Sequence, residues 1–147
     1  MKALVQRITE ASVTIEGETV AQIGKGYLVL FGVAVGDTPE MAAKLAERLI
    51  KLRIFEDENG KTNRSIVDVG GDIIVVSQFT LYADTAHGNR PGFSAAARPE
   101  TAIPAYERFV SALRASLGES RVGTGRFGAD MKVRLINDGP FTVELSL

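Results

Sequence analysis

The chain contains a near-continuous apolar run from Tyr27 to Val35. Polar residues do not alternate with the apolar ones, as they would in a strand with one face in water. The run is also too short for a membrane-spanning helix, which takes about 20 apolar residues. It therefore predicts a central strand covered on both faces, and the rest of the chain has to supply neighbouring strands and covering layers.

Other segments show the patterns of strands. Half-buried strands are predicted at Met1–Ile8, Ala11–Ile15, Thr19–Ile23, Met131–Leu135 and Phe141–Leu147, and a shorter buried strand at Ile73–Val76. Asp138-Gly139 is a strong hairpin signal when taken alone. Residues 137–140 therefore predict a turn that joins the last two strands.

Two segments have apolar residues at helical spacing. The first begins at Pro39, with Thr38 as its N-cap, and runs to about Leu52. The second runs from Ile103 to Leu117, with Pro104 in its first turn or at a kink. The glycine-rich residues 122–128 lack the spacing of a nucleotide-binding loop and are interpreted as a turn. The predicted fold is one α+β domain over residues 1–147, with two helices packed on sheet faces.

The composition limits the chemistry available to this chain. It has no cysteine, and His87 is its single histidine, so disulfides, thiolate catalysis and an ordinary zinc site are not expected. We expect no metal and no cofactor. Because no long apolar run and no N-terminal signal pattern are present, we also expect a cytoplasmic protein that does not engage a membrane.

The net charge of −1 argues against a broad basic face that coats a nucleic acid. A protein that holds only a single-stranded RNA end can instead rely on stacking and a few local cations. Candidates for those cations are Arg90, Arg121, Arg126, Lys132 and Arg134.

Polar side chains follow the buried strand Ile73–Val76 without an intervening Gly or Pro. They belong to Ser77, Gln78 and Thr80. In one interpretation the hydroxyls bond to neighbouring backbone and the amide faces solvent. In the other, hydroxyls and backbone N–H groups converge on a small ligand, because a buried polar group without a partner costs about 1 to 3 kcal/mol. Local sequence does not decide between the two.

Two segments carry a resemblance to a known family. Ser77-Gln78-Phe79-Thr80-Leu81 and Asn137-Asp138-Gly139-Pro140-Phe141-Thr142 resemble the signature segments S-Q-F-T-L and N-x-G-P-x-T of D-aminoacyl-tRNA deacylases. The similarity extends from Met1–Ile8 through Thr124-Gly125-Arg126-Phe127 to the end of the chain. The resemblance implies a mostly antiparallel, barrel-like core with two main helices, assembled as a homodimer.

The activity that the resemblance implies is hydrolysis of the ester at the 3′ end of D-aminoacyl-tRNA, with glycyl-tRNA as a further substrate. In that family the 2′-OH of the terminal adenosine assists the reaction, so the protein supplies positioning and oxyanion stabilisation. The implied catalytic residues are Ser77, Gln78, Phe79 and Thr80, with the N–H groups around Phe79 and Thr80 as oxyanion donors.

The resemblance also implies how L-aminoacyl-tRNA is rejected. A cis Gly139-Pro140 bond would place two carbonyl groups in the pocket of the other subunit, where they accept hydrogen bonds from the α-ammonium and exclude an L side chain. Arg7 would brace this turn, and Phe127 would pack on the terminal adenine. The substrate-binding and selection residues implied are Arg7, Phe127, Asn137, Gly139, Pro140 and Thr142.

Three alternatives remain beside this interpretation. A Ser-His-Asp hydrolase would need His87 as its base, but no G-x-S-x-G elbow is present. A non-catalytic module could bind the tRNA acceptor end with the same phenylalanines and arginines. A structural dimer could use the glycines only for turns. The segment Ser77–Leu81 is the feature that favours catalysis.

Overall fold

A computed structural model describes residues 1–147. The elements follow one another as β1 (Lys2–Ile15), β2 (Glu18–Ile23), β3 (Gly26–Gly32), α1 (Pro39–Ile50), β4 (Phe55–Glu56), β5 (Thr62–Arg64), β6 (Asp72–Ser77), α2 (Pro99–Leu117), β7 (Val122–Thr124) and β8 (Met131–Ser146). Short 3-10 turns lie at Phe79–Tyr82 and Glu119–Arg121.

The main sheet is built around β1. One edge of β1 pairs antiparallel with β3 and then with β2, while its other edge pairs antiparallel with β8. Strand β3 continues the sheet through parallel β6, and β6 pairs in parallel with β7. The sheet curls until β7 approaches β2, where a Cβ on Gly123 would lie 3.2 Å from the Cβ of Ala21. The predicted barrel-like α+β fold with two helices is confirmed, and β4 with β5 forms a separate small hairpin.

Both faces of β3 are buried. Tyr27, Val29 and Phe31 belong to the larger apolar core, which includes α1 and α2. Leu28 belongs to a smaller core on the opposite face. The predicted doubly covered strand is therefore confirmed, but it ends at Gly32, and Val35 is 70% exposed. A hydrophobic run marks the strand without marking its end, because Val35 already lies in the loop that leaves the sheet.

Two predicted strand boundaries are wrong, and the errors concern β1 and its partner β8. The segments Met1–Ile8 and Ala11–Ile15 belong to the single strand β1, and the segments on either side of residues 137–140 belong to the single strand β8. No hairpin forms, because both halves of β8 pair with β1 and run in the same direction. Residues 138–141 leave the ladder and the chain then rejoins it.

The helices are confirmed with different bounds. The first ends at Ile50 and not Leu52, and the second begins at Pro99, so Pro104 lies beyond the first turn. A proline there removes a backbone donor, which costs about 3 kcal/mol in an exposed helix. Packing maintains the helix, since Ala105 and Tyr106, the next two residues, are buried.

Candidate active site at the carboxyl end of the parallel strands

A cavity of about 560 Å³ opens where the parallel strands β3 and β6 end. Clefts beyond the carboxyl ends of parallel strands are common ligand sites. The wall residues come from both strand ends, the segment before α2, α2 itself and the segment leading into β8: Phe31, Val33, Val76, Ser77, Gln78, Phe79, Phe93, Ala96, Ala97, Pro99, Ala102, Tyr106, Phe127, Gly128, Ala129, Asp130, Met131 and Val133. The structure thus brings together three predicted catalytic residues and Phe127.

The polar end of β6 forms the floor of this cavity. The N–H of Gln78 donates to the Phe31 carbonyl at 2.8 Å, which extends the ladder by one residue. The chain then turns into the 3-10 segment, and the Gln78 amide donates to the Thr80 hydroxyl. The N–H groups of Phe79 and Thr80 start this turn, and neither donates to a side chain or to a loop carbonyl. The arrangement can supply hydrogen-bond donors to an anionic oxygen.

Aromatic rings border the cavity on two sides. Phe79 is 56% exposed and meets Phe93 edge to face, with ring centroids 5.0 Å apart. Phe127 lies across from them and meets Tyr106 at 6.3 Å. The Tyr106 hydroxyl donates to the Val75 carbonyl at 3.0 Å, and burial raises the pKa of Tyr106 to about 12. The exposed ring of Phe79 offers a surface on which a planar base can pack.

The second motif forms a bulge in β8. Asn137 pairs with Ile8 and Thr142 pairs with Gln6, so Arg7 alone stands opposite residues 138–141. The Gly139-Pro140 peptide bond is cis, as expected from the sequence. Asn137 fastens the base of the bulge, because its side-chain amide donates to the Arg7 carbonyl at 2.9 Å and to the Phe141 carbonyl at 3.2 Å.

Arg7 fills the space beneath the bulge and is only 4% exposed. Its Nη1 donates to the Ile54 carbonyl at 2.6 Å, and its Nε lies 3.1 Å from the Asp138 carbonyl and 3.0 Å from the Asp138 carboxylate. Its Nη2 lies 3.5 Å from the Gly139 carbonyl, and the guanidinium carbon lies 4.3 Å from the centre of the Phe141 ring. Arg7 thus holds the bulge to the body of the protein.

Within one chain the bulge does not reach the cavity. Ser77 is aligned with Phe31 and hence with Ala3, whereas the bulge lies opposite Arg7 on the far side of β1. Three strand spacings of about 4.8 Å and four residues of about 3.3 Å put the two motifs about 20 Å apart along the sheet. Asn137, Gly139, Pro140, Thr142 and Arg7 are all absent from the cavity wall.

Sequence reasoning missed several wall residues. The apolar spacing predicts only that Tyr106 lies in a helix, and no sequence pattern marks Asp130 as a wall residue. The sequence signal for part of this wall is the run of small residues before α2, which includes the wall residues Ala96 and Ala97. In the loop of residues 83–97, Phe93 lines the cavity, whereas the exposed His87 does not.

No group of three or more His, Cys, Asp or Glu side chains is arranged to hold a metal ion. No helix is long and apolar enough to cross a membrane.

Comparisons with known proteins agree with this geometry. The family model described as D-Tyr-tRNA(Tyr) deacylase matches residues 4–146. The chain belongs to this family. Relatives named D-aminoacyl-tRNA deacylase include one from Paracoccus denitrificans, 57% identical over 97% of this chain and 95% of the relative, and one from Roseiflexus castenholzii, 54% identical over 99% and 91%.

Solved structures match over the whole fold. A structure titled "c-Myc DNA Unwinding Element Binding Protein" superposes with a TM-score of 0.94 and 42% identity, covering 100% of this chain and 99% of that one. A structure titled as a probable eukaryotic D-amino acid tRNA deacylase has a TM-score of 0.84 and 19% identity, covering 98% and 97%, and shows the shared fold.

Proposed function

We propose that residues 1–147 form a single deacylase domain that hydrolyses the ester bond of D-aminoacyl-tRNA in the cytoplasm. The observation that carries the proposal is the cavity at the end of β6, whose wall includes Ser77, Gln78 and Phe79, the last of which begins the 3-10 turn Phe79–Tyr82. The first N–H groups of such a turn have no acceptor within the turn. They are donors for the oxyanion that forms when the ester carbonyl is attacked, an interaction worth about 3 to 4 kcal/mol per donor.

The reactive hydroxyl comes from the substrate. A threonine without an adjacent base is a weak nucleophile, and the only side chain that bonds to Thr80 is the Gln78 amide, which cannot accept a proton from it. The 2′-OH of the terminal ribose, next to the ester, assists attack by water on the ester carbonyl, and the products are the free amino acid and tRNA with its 3′-OH restored. Gln78, Thr80 and Ser77 then hold the backbone donors in place, and the exposed ring of Phe79 or that of Phe127 packs on the terminal adenine.

Chiral selection comes from a second copy of the chain. The bulge with Gly139 and Pro140 is about 20 Å from Ser77 along its own sheet, so its carbonyl groups reach a cavity only in a symmetric homodimer. In the partner's cavity they accept hydrogen bonds from the α-ammonium and occupy the space that an L side chain needs. Glycine has no side chain to clash, so glycyl-tRNA is also hydrolysed.

One experiment tests the activity. Purified protein is incubated with D-tyrosyl-tRNA, L-tyrosyl-tRNA and glycyl-tRNA, and loss of the ester is followed over time. We expect rapid loss of the D ester, slower loss of the glycyl ester and retention of the L ester. Equal rates for D and L, or no loss of either, would refute the proposal.

The source of the hydroxyl is tested with two changes. D-aminoacyl-tRNA ending in 2′-deoxyadenosine should be a very poor substrate, whereas Thr80→Ala should keep substantial activity. Complete loss of activity in Thr80→Ala, with normal tRNA binding, would instead assign the nucleophile to the side chain. Sedimentation at assay concentrations tests assembly, because a monomer that still spares L-tyrosyl-tRNA would contradict selection by the partner.

A further inference from the structure

Five arginine side chains form no hydrogen bond and no ion pair within the chain: Arg90, Arg98, Arg108, Arg126 and Arg134. All five are exposed. An arginine with an intramolecular carboxylate partner is already neutralised, whereas these five are free to meet an external anion. Their distribution over the surface is therefore informative.

Three of the five lie close in the sequence to residues that line the cavity. Arg98 stands between Ala97 and Pro99, which both line it, and Arg126 immediately precedes Phe127. Each belongs to a different element, since Arg98 leads into α2 and Arg126 follows β7.

Arg90 lies on a closed loop whose base is tied to the cavity wall. Asp84 and Gly92 exchange two backbone hydrogen bonds of 2.8 Å, so the residues between them project as a loop with a fixed base. The base is held against the cavity wall by the contact of Phe93 with Phe79, whose ring centroids are 5.0 Å apart. Arg90 lies two residues before this base. The three arginines thus belong to three separate segments, each of which contributes at least one residue to the cavity wall.

The other two free arginines face elsewhere. Arg108 is two residues after Tyr106, and residues two apart on a helix point away from each other. Arg134 lines a separate, smaller pocket together with Glu10 and Gln22. Both side chains are exposed, form no hydrogen bond or close ion pair and carry the same charge, and Arg108 lies near enough to Glu40 of α1 that its charge helps to lower the pKa of that carboxyl group. They therefore serve as matched controls for the other three arginines.

We propose that Arg90, Arg98 and Arg126 form a phosphate-binding rim that takes the backbone of the single-stranded 3′ end of the tRNA. The proposal rests on the proposed function and adds the contacts through which the RNA is held. A guanidinium presents several donors in a fixed fork that matches the oxygens of a phosphodiester. In a chain of net charge −1, attraction for RNA has to be local, and the rim is the place where unpaired positive charge surrounds the cavity.

The acidic groups near the cavity leave this rim positive. Asp130 lines the wall, but Lys132 pairs with it at 2.9 Å. Two exposed carboxylates remain, Glu100 two residues beyond Arg98 and Asp84 at the base of the Arg90 loop, and the three arginine charges exceed these two by one. Because phosphate contacts carry no base information, a rim of this kind holds the 3′ ends of different tRNAs equally. It therefore suits an enzyme that acts on many tRNAs.

The rim is tested by the salt dependence of binding. The probe is a fluorescein-labelled single-stranded RNA that ends in CCA, titrated with the protein from 50 to 200 mM KCl. Three phosphate contacts on a single strand give a slope of log K against log salt of about −2, or a loss of about 20-fold in affinity over this range. Each of Arg90→Gln, Arg98→Gln and Arg126→Gln should lower the slope by about 0.7, which leaves a loss of about 7-fold.

Arg108→Gln removes the same charge from the exposed side of α2 and should leave the slope at the parent value. All four variants should also keep the parent's circular dichroism spectrum, because the four side chains are exposed and unpaired. The rim is refuted if the three variants keep the parent slope, or if Arg108→Gln lowers it equally. A lowered slope restricted to the three variants supports it.

Failure of the rim and failure of the activity are separable. The RNA probe carries no ester, so its binding reports on the rim even if D-aminoacyl-tRNA is not hydrolysed. In the hydrolysis assay, the same variants should raise KM for D-tyrosyl-tRNA and leave kcat unchanged, since none of the three lies on the cavity floor. An unchanged KM together with a lowered kcat would overturn the assignment.

Discussion

Replacement of Arg7 by methionine is the sharpest test of how the bulge in β8 is held. Arg7→Met keeps the apolar stem and removes the guanidinium, which contacts Ile54, Asp138, Gly139 and Phe141. These contacts contribute differently to the free energy of unfolding because they differ in exposure to water. The Ile54 carbonyl is a buried acceptor, and leaving it unpaired costs about 1 to 3 kcal/mol.

The ion pair with Asp138 adds less. The Asp138 side chain is 41% exposed, so water screens the ion pair, which contributes at most about 1 kcal/mol to stability. The sum predicts that Arg7→Met lowers the free energy of unfolding by about 1 to 4 kcal/mol. A domain of this size is stable by about 5 to 15 kcal/mol, so the variant should still fold.

The assay is urea unfolding followed by circular dichroism. The slope of the unfolding free energy against urea concentration should be the same in parent and variant, which shows that the mutation changes stability and not the compactness of either state. Arg48→Met is the matched control. Arg48 donates to the Ser146 carbonyl at 2.7 Å, but the bond is exposed, so its loss should cost less than about 0.5 kcal/mol.

Activity gives a second measurement on the same variants. Arg7→Met should hydrolyse L-tyrosyl-tRNA faster relative to D-tyrosyl-tRNA, because the bulge that excludes the L side chain is no longer held by the guanidinium. Arg48→Met should keep the parent ratio. The reasoning is refuted if Arg7→Met loses no more stability than Arg48→Met and also keeps the parent ratio of D to L rates.

Two further predictions concern other parts of the fold. The raised pKa of Tyr106, about 12 in the folded chain against a reference of 10.0, means that ionisation opposes folding. The stability gained by burying the neutral Tyr106 hydroxyl is fully present below pH 10 and should be lost as the pH rises from 10 to 12. Tyr106→Phe should therefore flatten this part of a plot of unfolding free energy against pH. An equal alkaline loss in parent and variant would contradict it. Gly26→Ala should destabilise the protein by about 3 kcal/mol, because the added Cβ would lie 1.8 Å from the Asp72 carbonyl oxygen, which is backbone and cannot move aside. Gly92→Ala, whose Cβ would lie 3.9 Å from its nearest neighbour, is the control and should change the melting temperature little.

The sequence predicted those elements in which the spacing of apolar residues along the chain shows which faces are buried. The run at Tyr27 marks a strand with two buried faces, and the apolar spacing after Pro39 marks α1, because both patterns depend only on neighbours along the chain. The polar end of the buried strand at Ser77 was also visible, since three hydrogen-bonding side chains without a turn residue are unusual there.

The sequence did not show which strands pair. Asp138-Gly139 has the signature of a hairpin, yet the chain continues along β1, because β1 is long enough to pair with both halves of β8. In the same way Thr9 and Glu10 interrupt the alternation of β1 and suggest a break. The strand continues because β8 stays paired while the partner on the other edge changes from β3 to β2. Pairing across such distances is a tertiary property that no short window contains.

The ladder between β1 and β8 has a consequence for how the chain acquires its structure. It is the longest pairing in the sheet, and it joins residues 2–15 to residues 131–146. During synthesis the emerging β1 can find β2 and β3 early, but one of its edges keeps unpaired N–H and C=O groups until β8 leaves the ribosome. Long-range pairings of this kind slow folding, and open strand edges attract other chains. Ribosome-bound intermediates truncated before Met131 should therefore be the species most prone to aggregation and the ones that chaperones engage.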